Sequence, residues 1–340
     1  MVQKRPSRSA PTISQVAAAA GVSRSTVSRA FSRPEAIGQE TANRIRDLAR
    51  EMGYAPNHTA RALSTGRHGN IGLIVPDVSN PFFPPLIRGA QVEADRADFC
   101  VFLGNSDESP AQEAKLLDRF SGQVEGVVLV STRLSDNEVM AVAELRPIVL
   151  VNRDVEGIPR VLIDSSIGVA EAVTHLVELG HSNIVYVSGP SKSWSNRQRR
   201  NAFKRTTKQA GVEATSVHSE VPNYESGRAL VDKILAAGAT AAICFDDLLA
   251  QGVMGGLAER GISVPEQFSV IGCDDVIGAT TYPALTSVSS PTLQAGRTAV
   301  SILLDRLSDN VSRDVRYTLD TRLVVRQTTG PAPGSGSPAR

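Results

Sequence analysis

The sequence runs to 340 residues with 41% hydrophobic residues, 36 Lys+Arg and 35 Asp+Glu, a length that allows one large domain or several smaller ones. No apolar stretch approaches the roughly 18 residues that mark a membrane helix, and the three widely spaced cysteines, Cys100, Cys244 and Cys273, exclude a disulfide framework. The near-neutral total of +1 hides an asymmetry: residues 1–68 carry 11 Lys+Arg against 4 Asp+Glu, and the remainder carries 25 against 31.

In chain order, a polar arm at 1–11 with Lys4, Arg5 and Arg8 is expected to be disordered. The apolar run at 17–20 is too short for a secretory signal, so the chain is expected in the cytoplasm, with its cysteines as buried free thiols. Thr12 and Gln15 form a capping box ahead of a small-residue stripe of Ile13, Val16, Ala17 and Ala20 at helical spacing. Gly21 supplies a turn and Ser23 an N-cap. In the next helix Val27, Ala30 and Phe31 form the apolar stripe, leaving Arg24, Ser25, Ser28 and Arg29 on a short, polar, basic face. A third helix places Ile45, Leu48, Ala49 and Met52 inward and stops at Gly53. Three helices thus enclose one small core. The excess positive charge around them favours the phosphate backbone of DNA through counterion release, and the small polar helix can enter a major groove.

After Pro56, Asn57 can cap a helix of two turns ending near Gly66, too short to be stable alone, or the segment is a plain linker. From residue 70 the periodicity changes. Apolar runs of strand length at 71–75, 100–103, 126–130, 148–151, 161–163, 184–187, 241–245 and 270–273 alternate with helical stretches such as 85–96, 168–179, 197–210 and 247–259. Continuously hydrophobic strands of this kind belong to a parallel sheet covered by helices on both faces. From Gly330 the chain is rich in Gly, Pro and Ser and is expected to be disordered.

Enzyme signatures do not appear. There is no glycine-rich dinucleotide fingerprint after a strand, no phosphate loop, no nucleophile elbow and no paired histidine metal motif, so no catalytic residue, cofactor or metal site is expected. Gly252, Gly255 and Gly256 lie within a helical stretch and read as close packing. His175 and His181 flank a helix end and read as surface or capping residues. Polar and aromatic residues instead collect where the strands end, the usual place for a ligand in open α/β sheets. Asn80 with Phe82 and Phe83 follows the first run, Asn152 and Arg153 the fourth, Asp246 and Asp247 the seventh, and Asp274 the eighth, while Arg199 lies near a helix start. Any one of these alone reads as a helix cap or a core anchor. Together, carboxylates, amides, a guanidinium and flat aromatics suit a polyhydroxylated ligand.

The segments at 12–17 and 21–23, with Thr26-Val27-Ser28-Arg29, resemble the head-piece of the LacI/GalR-type transcriptional regulators, and the resemblance continues to about Arg326. It implies a small all-α helix-turn-helix head at 12–56, a hinge helix at 57–68, and a two-lobed, periplasmic-binding-protein-like α/β body at 69–329. The lobes are about 69–164 with 292–320, and about 165–291 with 321–329. DNA contacts are implied at Thr12, Ser23, Arg24, Ser25, Thr26, Ser28 and Arg29, and in the hinge at Asn57, Arg61 and Leu63, the last as a minor-groove wedge. Effector contacts are implied at Asn80, Phe82, Phe83, Asn152, Arg153, Ser195, Arg199, Asp247 and Asp274. The implied protein is a homodimer on a near-palindromic operator, a repressor controlled by a sugar or sugar derivative and without a membrane partner. The competing reading, a solute-binding protein of a sugar transporter, would share the body but not the basic head. On the regulator reading, Arg199→Ala and Asp274→Ala should abolish the effector response and leave effector-free DNA affinity broadly intact.

Overall fold

The computed structural model describes residues 11–32, 34–54, 68–308 and 314–334, which divide into a unit ending at His68 and a unit starting at Gly69. The segment at 57–68 predicted as hinge lies outside the described residues apart from His68.

The first unit holds α1 (Ile13–Ala20), α2 (Arg24–Ser32) and α3 (Gln39–Met52). Val16, Ala17, Ala20, Val27, Ala30, Ile45 and Ala49 are its buried core, with Phe31 set against Tyr54 at 6.0 Å between ring centroids. Small side chains let the helices approach closely, and two arginines of α3 then finish the ends of the other two. Arg44 donates to the carbonyl of Ala20 at 3.3 Å and Arg46 to that of Ala30 at 2.9 Å, satisfying oxygens that a helix C-terminus leaves unpaired.

In the second unit, β1 (Asn70–Val75), β2 (Cys100–Asn105), β3 (Gly126–Val130), β4 (Ile148–Val151), β5 (Arg160–Asp164) and β11 (Arg316–Asp320) form one parallel sheet in the order β11-β5-β4-β3-β1-β2. A second sheet, ordered β12-β10-β9-β8-β6-β7, is built from β6 (Asn183–Ser188), β7 (Glu213–His218), β8 (Ala241–Cys244), β9 (Ser269–Asp274), β10 (Thr286–Ser289) and β12 (Arg322–Val324), with β12 antiparallel to β10. Helices α4 (Phe83–Arg96), α5 (Pro110–Phe120), α6 (Asp136–Leu145) and α12 (Thr292–Leu307) are interleaved with the first sheet. The second carries α7 (Ser166–Glu178), α8 (Trp194–Ala210), α9 (Tyr224–Ala229), α10 (Val231–Ala236) and α11 (Asp247–Glu259). Each sheet has apolar clusters built from its strands and these helices.

Glycine sets the tightest helix contacts. A Cβ on Gly89 of α4 would stand 2.1 Å from the carbonyl oxygen of Leu293 on α12, and one on Gly252 of α11 would stand 2.0 Å from that of Tyr224 on α9. The glycines at 252, 255 and 256 are therefore packing residues, as their helical setting suggested.

The chain passes between the sheets three times, after β5, after β10 and between β11 and β12. These passages are tied to one another. Thr321 Oγ1 donates to the Asp164 carbonyl at 2.9 Å and accepts from the Gly168 amide at 3.2 Å. A Cβ at Gly168 would meet Val288 at 2.4 Å, so all three passages run past one glycine.

Several expectations need correction. Cys100 opens an edge strand and is exposed, whereas Cys244 and Cys273 are buried. His181 is buried rather than superficial: Nδ1 meets Thr240 Oγ1 at 2.8 Å, and Nε2 meets Ser269 Oγ at 3.0 Å and the Gly330 carbonyl at 3.1 Å. Residues 330–334 are consequently packed against the body, and the Ala332 amide donates to the Leu179 carbonyl at 2.8 Å. Four strands, β7, β10, β11 and β12, lack an apolar run. β7, β11 and β12 lie at sheet edges, and the residues of β10 are buried because their hydroxyls and amides find partners, as Thr286 does with Thr328 at 2.9 Å.

Candidate functional site

Two surfaces collect the polar residues singled out by the sequence. On the head, Ser23 Oγ accepts from the Thr26 amide at 3.1 Å and meets the hydroxyls of Ser25 and Thr26 at 2.7 and 2.8 Å, an N-cap that fixes the start of α2. Gln15 Oε1 accepts from the Thr12 amide at 2.7 Å. Thr12, Ser23 and Thr26 thus hold helix starts, while Arg24, Ser25, Ser28 and Arg29 occupy the exposed face of α2. The amide ends of two helices and a basic polar face together suit a phosphate backbone and an accessible groove. Asn57, Arg61 and Leu63 lie outside the described residues.

The second site is a cleft in the body, where the carboxyl ends of strands from both sheets converge. On the first-sheet side, Asn80 Oδ1 accepts from the Phe82 amide at 2.9 Å, which turns the chain into α4 and sets Phe82 edge-to-face with Phe83, ring centroids 5.0 Å apart. Asn152, after β4, uses its carboxamide oxygen on the Ile163 amide at 3.0 Å, so its NH2 is the part left for a ligand. On the second-sheet side stand Ser195 in the first turn of α8, Arg199 on the same helix, and Asp274 at the end of β9. Asn80 Nδ2 approaches Asp246 Oδ2 at 3.5 Å, a long contact that spans the cleft. Glu108, Ser131, Asn152 and Asp274, four lining residues at or beyond strand ends, have positive φ of 56°, 49°, 54° and 100°. Such backbone is costly for non-glycine residues and gathers where geometry must be held for binding.

Arg199 is the most heavily engaged of these side chains. Its Nη2 pairs with Asp274 Oδ1 at 2.5 Å, Nε donates to Ser165 Oγ at 3.2 Å, Nη1 donates to the Phe245 carbonyl, and the guanidinium lies 5.0 Å from the Phe245 ring centroid. Burial works against its charge, yet the Asp274 carboxylate beside it holds its pKa above the ordinary value. Burial pushes the Asp246 carboxyl up to about 8, with Asp274 and Asp247 adding to the shift.

Seven of the nine predicted effector residues line this cleft, and two do not. Arg153 turns away and binds Asp136 at 2.7 Å and the Leu134 carbonyl at 3.2 Å, tethering the start of α6. Asp247 faces the loop after β9: its oxygens accept from Ser287 Oγ at 2.6 Å and from the amides of Val276 and Ile277 at 2.9 and 3.3 Å. Burial and Asp274 raise its pKa to about 7. Both corrections have one cause, since neighbouring residues past a strand point in different directions and sequence position does not say which faces the cleft. Asp246 takes the cleft position while capping α11 through the Leu249 amide at 2.8 Å. Glu108, Arg133 and Phe245 also line the cleft and were not foreseen. Phe245 had a signal, as the last residue of an apolar run; Glu108 and Arg133 lie in polar loops and had none.

The model for bacterial regulatory proteins of the lacI family matches residues 12–57, and that for a periplasmic binding protein-like domain matches residues 173–329. The HTH-type transcriptional repressor CytR of Escherichia coli (strain K12) is 31% identical over 335 residues, covering 95% of this chain and 98% of that protein. Among solved structures, the lac repressor dimer bound to operator and the anti-inducer ONPF is 25% identical with a TM-score of 0.83, covering 94% of this chain and 99% of that one. A LacI family transcriptional regulator from Enterococcus faecium with bound ribose is 28% identical with a TM-score of 0.70, covering 77% and 99%.

Proposed function

The chain belongs to the LacI family of bacterial regulatory proteins, and from that premise we propose that it is a homodimeric repressor in the cytoplasm whose hold on a near-palindromic operator is set by a small polyhydroxylated effector in the cleft of each body. The observation that carries this is the joint presence, in one chain, of a head with an exposed basic helix face and a body with a polar, aromatic-lined cleft, matched end to end by a transcriptional repressor. A transporter's solute-binding protein has no use for the head, and nothing among the relatives favours it. Among the described residues no helix is long and apolar enough to cross a membrane. The relatives are regulators by name, and we assign no catalytic residue.

Residues 12–56 bind DNA, with Arg24, Ser25, Ser28 and Arg29 toward the groove and Thr12, Ser23 and Thr26 at the backbone. Residues 57–68 form the hinge, with Asn57, Arg61 and Leu63 on the operator. Asn80, Phe82, Phe83, Asn152, Ser195, Arg199 and Asp274 hold the effector, joined by Asp246. An effector bridging the two sheets changes DNA affinity only by its differential affinity for their closed and open arrangements, and the tied passages around Thr321 are where the chain would flex. The ribose carried by one relative supports a sugar or sugar derivative as effector.

The test is selection of operator sequences by the full chain, followed by binding at several salt concentrations with and without candidate sugars. Affinity should fall log-linearly with salt, by about 0.9 log units per log unit of salt for each phosphate neutralised, and at least one sugar should shift it. Binding indifferent to salt, or no duplex preference, refutes the reading.

A further inference from the structure

One pair on the first-sheet wall of the cleft joins the loop after β2 to the loop after β3. Arg133 Nε pairs with Glu108 Oε2 at 2.5 Å, Arg133 Nη1 donates to the Ser131 carbonyl at 2.8 Å, and the Arg133 amide donates to Glu113 Oε2 at 3.1 Å. Glu108 and Ser131 both hold left-handed backbone, and Glu113 behind them is buried. The Arg133 side chain is only 7% exposed. Burying a guanidinium so completely is costly unless it is paired and its donors find acceptors. Among the described residues, Nη2 of Arg133 and Oε1 of Glu108 have no partner, and both residues line the cleft.

Resting on the reading of the cleft as the effector site, we propose that the Glu108–Arg133 pair is the element that selects an uncharged ligand bearing a vicinal diol over the same ligand carrying a phosphate. The free guanidinium nitrogen donates to one hydroxyl and the free carboxylate oxygen accepts from its neighbour, which fixes a diol in one orientation. A phosphate meets the opposite situation. Among the described residues the two cations lining the cleft are already answered, Arg133 by Glu108 and the Ser131 carbonyl, and Arg199 by Asp274 and two protein oxygens. With no unanswered cation to receive it, a phosphate is placed against Glu108 and Asp274 and is rejected by like charge, the repulsive half of specificity.

The full chain is titrated by calorimetry with ribose, xylose, glucose, galactose, adenosine and cytidine, and with a phosphate monoester of each. At least one neutral probe is expected to bind about tenfold or more tightly than its monoester. Glu108→Gln leaves Arg133 less answered and should shrink that ratio by about tenfold, whereas Glu108→Asp, which keeps the charge, should retain it. Glu108→Gln combined with Arg133→Gln removes both charges and should return the ratio most of the way to the wild-type value, with melting curves confirming that each variant is folded. A purely structural pair predicts equal weakening of both ligands, so a ratio within twofold of wild type in Glu108→Gln overturns the inference. A wild-type protein that binds monoester and parent equally overturns it too, and does so without touching the effector reading. A wild-type protein that binds none of the twelve probes overturns the effector reading and this inference with it.

Discussion

Arg199→Met is expected to cost the body its stability before it costs any ligand response. The side chains of Arg199 and Asp274 are 4% and 6% exposed, and removing the guanidinium leaves the Asp274 carboxylate with Ser290 Oγ, at 3.2 Å, as its remaining side-chain donor. The Ser165 hydroxyl and the Phe245 carbonyl lose a donor in the same step. Breaking a buried pair from one side costs about 3–5 kcal/mol, because the surviving charge stays desolvated. At about 2–4 °C per kcal/mol for a body of this size, the melting midpoint should drop by roughly 6–20 °C. Trp194, the single tryptophan, is buried on the same helix and reports the transition directly by fluorescence. Arg199→Met combined with Asp274→Asn removes both charges and should recover a substantial part of the loss, a coupling of about 1–3 kcal/mol. A single-variant cost below about 1 kcal/mol, or two variants that simply add, would refute the argument. These contacts make a melting curve the necessary companion to the effector response of Arg199→Ala, since only a folded variant reports on the effector.

Gly252→Ala puts a methyl 2.0 Å from the Tyr224 carbonyl oxygen, so α9 and α11 must part, at a cost of about 1–3 kcal/mol measurable by urea unfolding; a neutral variant would contradict the packing. Asp246, raised by burial to about 8, keeps its proton in the folded state while the unfolded chain releases it, so stability should decline as pH rises from the ordinary 3.8 toward about 8. Asp246→Asn should flatten that decline, with the residue of it due to Asp247, as urea midpoints across the window would show. His181, lowered by burial, works in the opposite direction: stability should fall as pH drops below its ordinary 6.5, and less so in His181→Gln. In the head, Arg29→Ala should weaken operator binding by about 1–3 kcal/mol and relax base preference, read by operator selection with the variant. Leu63→Ala should leave the fold unchanged while lowering both operator affinity and operator bending, read from the mobility of circularly permuted fragments.

The head was almost fully legible in the sequence. Helical periodicity, a capping box, Gly21 and Gly53 are local signals, so the stripe of Val16, Ala17, Ala20, Val27, Ala30, Ile45 and Ala49 could be read directly. The buried strands were legible for the same reason, since β3 and β4 are uninterrupted apolar runs. Tertiary structure decided what periodicity cannot express. Strands such as β10 are buried through satisfied hydroxyls rather than apolar side chains, and Gly330 is ordered because His181 and Ser269, far away in sequence, supply its hydrogen bonds. The cleft shows the same division. Sequence marked the strand ends as the place, but whether Asp246 or Asp247 faces inward depends on the turn into α11, where one carboxylate caps the helix and the other binds the loop after β9. The Glu108–Arg133 pair had no signal at all, because its two members lie on separate loops and meet only when β2 and β3 are laid on either side of β1.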